Sequence, residues 1–172
     1  MTQQQLNSKK YIIDYLTNEE RADTIISSAI QSLIQLQNSE YFPCNNPRDI
    51  GAALDSIIED DVIIHFLAHG GNFGIARVTD QYYVQIIHWE LLLKSFERIQ
   101  SQCNSLSINL MAVCNSHLIT EYKSKPYDMI WTTSSNTNSI ESSLRIYSER
   151  NFAMIISLFD NSERFHQTIG QR

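Results

Sequence analysis

Between Asp60-Asp61 and Gly70-Gly71 the chain reads VIIHFLAH, and residues 62–68 form a nearly continuous apolar run. The run is short, β-branched at its start, and bounded by acids on one side and glycines on the other. That is the pattern of a strand buried on both faces, as in a parallel sheet covered by helices. This one segment therefore points to an α/β architecture. Residues 106–113 (LSINLMAV) repeat the pattern and stop at Cys114-Asn115-Ser116. Residues 128–133 (DMIWTT) form a third such run, followed by the polar stretch SSNTNS.

The segments between these runs have helical spacing. Apolar residues recur from Ala22 to Leu36 with the period of a helix, behind Thr17 or Asn18 as a cap and acids in the first turn. Residues 47–58 predict a shorter helix with Pro47 in its first turn. Residues 88–102 predict a third, with Leu91, Leu92, Phe96 and Ile99 inward. Residues 11–16 predict a strand, and residues 74–78 and 82–87 a small hairpin around Thr79-Asp80-Gln81. Residues 140–165 are expected to be helical, although residues 152–158 also alternate as a strand would. Residues 1–9 are polar and expected to be mobile. Strands alternating with helices predict a mainly parallel central sheet with helices on both faces, built by right-handed crossovers.

With 172 residues, 42% of them apolar and 19% charged, the chain suits one globular domain over residues 1–172. A net charge of −6 argues against nucleic acid as a partner. The start, MTQQQLNSKKYIIDYL, lacks an apolar core behind a basic segment, and no run approaches ~18 apolar residues. No secretory leader, membrane partner or membrane span is expected. The three cysteines, Cys44, Cys103 and Cys114, fit no zinc spacing, so no metal or other cofactor is expected, and a reduced, cytoplasmic setting is inferred.

In parallel sheets of this kind, ligands bind beyond the carboxyl ends of the strands. His69 and Cys114 each lie just past the end of a buried strand. A thiol acts as a nucleophile when ionised, which a neighbouring imidazole promotes. Neighbouring strands lie ~4.8 Å apart, close enough for two strand-end side chains to meet at one bond. Gly70, without a Cβ, allows a backbone N–H to approach a carbonyl, and with the Cys114 N–H it would form an oxyanion hole. His65 lies inside the strand and reads as a core histidine. His88 begins a helix, and His117 is a candidate rim residue. Cys44 and Cys103 read as packing or exposed residues. Asp60 and Asp61 read as solvated acids on the side opposite the site. Tyr82, Tyr83 and Trp89 read as core or hairpin-face aromatics. The Gly70–Gly74 stretch lacks both the lysine of a P-loop and a GxGxxG pattern, which disfavours phosphate binding.

A strand ending in FLAHGG and a second ending in LMAVCNS resemble the paired motifs of the caspase-like cysteine peptidases, and most closely their CHAT branch. In the caspase case the histidine lies ~50 residues before the cysteine, similar to the interval here. YDMIWTTSSNTNS resembles the strand and substrate-lining loop that follow the nucleophile in that family. The likeness spans residues 10–159. It implies a three-layer caspase-like fold with a small hairpin after the His-Gly motif. It also implies a cysteine endopeptidase in which His69 transfers the proton, Cys114 is acylated, and the Gly70 and Cys114 N–H groups hold the oxyanion. Ser134, Ser135, Asn136 and Glu141 would line the substrate groove. The expected partners are a protein or peptide substrate and, because small bacterial relatives resemble effectors held off until triggered, an activating protein or small signal molecule. The sequence departs from the family where Val113 separates Ala112 from Cys114, and where Ala112 stands in the acidic position of metacaspase-like relatives. Neither an Asp-specific nor a basic-specific pocket is carried over. The competing reading is a non-catalytic α/β signalling module that binds a nucleotide-derived ligand or a protein at the same sheet edge.

Overall fold

The computed structural model describes residues 7–79, 84–134 and 165–170. A six-stranded sheet forms its centre. In chain order the elements are β1 (Lys9–Asp14), α1 (Asn18–Ala22), α2 (Thr24–Ile34), β2 (Ser39–Pro43), α3 (Pro47–Asp55) and β3 (Asp61–Leu67). Then come β4 (His69–Gly71), β5 (Gly74–Val78), β6 (Val84–His88), α4 (Trp89–Gln100) and β7 (Ser105–Ala112). A 3-10 helix (Ser116–Glu121), β8 (Met129–Thr133) and β9 (Phe165–Ile169) follow. The strand order is β2-β1-β3-β7-β8-β9. Every pairing is parallel except β8 with β9. The mixed α/β, mostly parallel architecture expected from the apolar runs is present.

Each face of the sheet carries its own core. Tyr11, Ile13, Val62, Ile64, Phe66, Leu106, Ile108 and Leu110 pack with α3 and α4 on one side. Ile12, Leu67, Met111 and Trp131 pack with α2 on the other. Both faces of β3 and β7 are buried, which is why both strands read as largely apolar runs, with His65, Ser107 and Asn109 as buried polar residues among them. At about 25 cal/mol per Å² of buried apolar surface, the burial of both faces makes these strands strongly stabilising.

Several elements differ from the sequence expectation. The helix expected from Ala22 to Leu36 is preceded by a separate short helix. Asp23, with ψ 134°, ends α1, and its carboxylate accepts from the Ile25 and Ile26 N–H groups to start α2. Residues 39–43 form edge strand β2, whose closing proline suits an edge position. Lys9, expected in a mobile segment, opposes Val62 within the sheet. Phe165, expected to end a helix, begins β9. The helix expected over residues 140–164 lies outside the described residues.

The hairpin after the His-Gly motif is present and larger than expected. β4, β5 and β6 form a three-stranded antiparallel sheet, with Gly71 opposite Gly74 across a two-residue turn at Asn72-Phe73. The glycine stretch therefore forms β4, its turn and the start of β5, and does not lead into the N-terminus of a helix. Among the described residues, no helix is long and apolar enough to cross a membrane.

Candidate active site

The register of the two central strands places the two motifs side by side. β3 and β7 are adjacent and parallel, and Leu67 opposes Ala112 after a register shift beyond His65. His69 lies two residues past Leu67, and Cys114 two residues past Ala112. Both chains leave the sheet at its carboxyl edge. They then touch: a Cβ built on Gly70 would lie 1.9 Å from the Cys114 carbonyl oxygen and 2.7 Å from Val113 Cγ1. Gly70 thus rests directly against the Cys114 backbone and the Val113 side chain, a contact that a side chain at position 70 would prevent.

The cysteine sits on a strained turn. Val113 N–H donates to the Leu110 carbonyl at 3.0 Å, and Ser116 N–H to that of Val113 at 3.3 Å. Asn115, next to Cys114, has φ 55° in the left-handed region, a costly conformation that asparagine tolerates better than most residues. The fully buried Ser116 hydroxyl holds this turn to two strands, donating to the Leu110 carbonyl and accepting from Thr133 N–H, each at 2.9 Å. Cys114 is half-buried, and none of the three cysteines is in a disulfide.

Sequence reasoning missed Glu20. Thr17 and Glu20 form a capping box at the start of α1, in which Thr17 N–H donates to Glu20 Oε2 at 2.7 Å and Glu20 N–H to Thr17 Oγ1 at 3.2 Å. The other carboxylate oxygen, Oε1, pairs with Nε2 of His69. One side chain therefore caps the helix and orients the imidazole. With Nε2 directed at a carboxylate, that nitrogen carries the proton, and Nδ1 is left as the basic nitrogen. The Thr-x-x-Glu spacing gave a signal for the cap but none for the histidine.

A buried ion pair holds α1 in place. Arg21 Nε donates to the fully buried carboxylate of Asp14 at 2.9 Å. Its Nη2 donates to the carbonyls of Asp14 at 3.0 Å and Cys44 at 3.1 Å. Asp14 also accepts from Tyr41 Oη at 2.5 Å and from Leu16 N–H at 2.9 Å. Arg21 thus ties the turn that carries Glu20 to the carboxyl ends of β1 and β2.

Burial works to raise the pKa of the Glu20 carboxyl. Its hydrogen bonds to His69 and Thr17, with the charge of His69, outweigh that and hold it at about 2. A carboxyl depressed on folding stabilises the fold above its unfolded pKa of ~4.3, and that contribution is lost as pH falls toward 2. Solvent screening of this partly exposed pair limits the contribution to about 1–2 kcal/mol. Glu20→Gln is expected to flatten the fall in unfolding free energy between pH 4.5 and 2, as measured by urea denaturation across that range. An unchanged slope would remove the assigned interaction.

The remaining candidates separate cleanly. His65 is fully buried, and desolvation, helped by the charge of Lys10, pushes it down to about 3, so it is neutral in the core. His117 lies at the same sheet edge as Cys114, with Nδ1 3.3 Å from the Thr133 carbonyl. Ser134 is half-buried just past β8 at that edge. Ser135, Asn136 and Glu141 lie outside the described residues, as do Asp80, Tyr82 and Tyr83. Trp89 is core, and exposed Asp60 and half-buried Asp61 lie at the opposite edge. Among the described residues, no group of three His, Cys, Asp or Glu side chains could hold a metal ion. No protein-family model matches the chain, and no curated protein matches it.

Proposed function

We propose that the chain is a cysteine endopeptidase of caspase-like type, acting through Cys114 and His69. The observation that carries this reading is the contact of Gly70, the residue after His69, with the Cys114 backbone at the carboxyl edge of two paired parallel strands. Nδ1 of His69 takes the Cys114 proton, and the thiolate attacks the scissile carbonyl. The Gly70 and Cys114 N–H groups receive the oxyanion. Collapse of the tetrahedral intermediate expels the amine, which takes its proton from His69 and leaves a thioester on Cys114. Water, deprotonated by the same imidazole, then releases the acyl product.

Glu20 acts as a positioning residue that fixes the imidazole, as the acid of a triad does. Ser134, Ser135, Asn136 and Glu141 are assigned to the substrate groove on resemblance. Cytoplasmic location and control by a partner or signal molecule belong to this same reading.

The test combines peptide-library cleavage, with and without cell extract as a source of activators, and iodoacetamide labelling at pH 8. Burial pushes the Cys44 thiol up to about 12, with Asp49 and Asp14 adding to it against Arg21, so Cys44 remains a thiol. Cys114 is expected to label at least ~10-fold faster than Cys44 or Cys103, and a defined set of peptides to be cut. No cleavage in either condition, with Cys114 labelled no faster than Cys103, would favour the non-catalytic module.

A further inference from the structure

The outer face of the small antiparallel sheet is apolar where a solvated face would be polar. The pairs Ala76–Ile86 and Val78–Val84 lie on this face, while Ile75 and Ile87 lie on the other and belong to the core. Val84 is 47% exposed, Ile86 44%, and Phe73 at the β4–β5 turn 66%. Together they line a cleft of about 330 Å³ that reaches His69 and Gly70, at the small end of the ~300–1,000 Å³ range of ligand clefts. Among the described residues, no side chain that lines it apart from His69 is ionisable, and Cys114 is not part of the wall.

We infer that this cleft binds an apolar side chain on the leaving-group side of the scissile bond, so that the substrates are peptides with an aliphatic or aromatic residue directly after the cut. The inference rests on the peptidase reading above. In such a reaction the imidazole gives its proton to the departing amine. The residue that bears this amine must then lie beside His69 and away from the sulfur. The cleft meets that condition, since it is lined by His69 and not by Cys114 and continues along β5 and β6. An acidic or basic side chain placed there would lose its hydration without gaining a partner.

Acyl transfer reads this side of the site directly. A blocked peptide methyl ester with the acyl-side sequence found in the library is given to the full chain, with equal concentrations of the amides of leucine, lysine and aspartic acid. The free amine of an amide attacks the thioester carbonyl, the C–S bond breaks, and the Cys114 sulfur leaves as thiolate. The new amide nitrogen gives its proton to His69, which passes it to the thiolate. The ratio of products is taken within one protein, so differences in acylation rate cancel. Leucinamide is expected to be favoured at least ~10-fold over the other two, the scale on which an apolar pocket discriminates. Phe73→Ala is expected to reduce that ratio at least 3-fold, and Ile86→Asp to remove it.

Equal use of the three amides during Cys114-dependent ester turnover would overturn the subsite and leave the peptidase reading standing. No such turnover would overturn both. A leucinamide preference unchanged in both variants would place the preference elsewhere. If Ile86→Asp also converts a dimer to a monomer in sedimentation, the face is a contact between copies of the chain.

Discussion

Cys114→Ala is expected to lower kcat/KM for peptide cleavage by at least ~10³-fold, while urea-derived stability changes by less than about 1 kcal/mol. The two halves of this result have separate causes. In the proposed mechanism the Cys114 sulfur carries the acyl group, and loss of a nucleophile that works with its base and oxyanion donors abolishes most of their joint effect. The fold loses little, because Cys114 is half-buried and its turn is held by backbone and by Ser116. Cys114→Ser supplies a second measurement, since it keeps a hydroxyl at nearly the same place. It is expected to be inactive as well, because a neutral serine is the weaker nucleophile at a site built for a thiol. Full cleavage by either variant would remove Cys114 from the chemistry.

The parts of this site that the sequence made legible are those encoded by local pattern. β3 and β7 were readable because burial on both faces favours apolar residues along most of their length, His65, Ser107 and Asn109 being the buried exceptions. His69 and Cys114 were readable because each follows such a strand directly. Glu20 was not readable, because its role depends on where α1 docks. That placement is set by Asp14 and Arg21, and the partner, His69, is 49 residues away. Edge strands β2 and β9 were also lost to sequence reading. SEYFP is at most half-buried, and FHQTI carries only two hydrophobic residues, so neither shows the apolar run that marks the central strands. The break at Asp23 left the apolar period of the following helix intact, and only the capping role of the aspartate marks it.

Gly70→Ala tests the same geometry from the backbone, and its expected effect on stability is large. The added Cβ would lie 1.9 Å from the Cys114 carbonyl oxygen, 2.8 Å from its carbonyl carbon and 2.7 Å from Val113 Cγ1. Two of these atoms are backbone, which cannot rotate away as a flexible side chain would. One segment must therefore move. The Cys114 side is fixed by Ser116 to β7 and β8, and the Gly70 side by pairing with Ile75 in the small sheet. Overpacking of this kind costs typically 1–3 kcal/mol, and contact with backbone on both sides places this case at about 3 kcal/mol. At temperatures where the variant is still folded, the displacement separates His69 from Cys114, and misplacement by about 1 Å is enough for a ~100-fold loss of activity. Gly71→Ala is the control. Position 71 is the next residue of the same strand, and a Cβ there meets nothing within 4 Å. It is expected to change stability by less than about 0.5 kcal/mol. Equal stabilities for the two variants in urea denaturation would mean that the His69-Gly70 and Val113-Cys114 segments are not in contact, and the shared site would be lost with that contact.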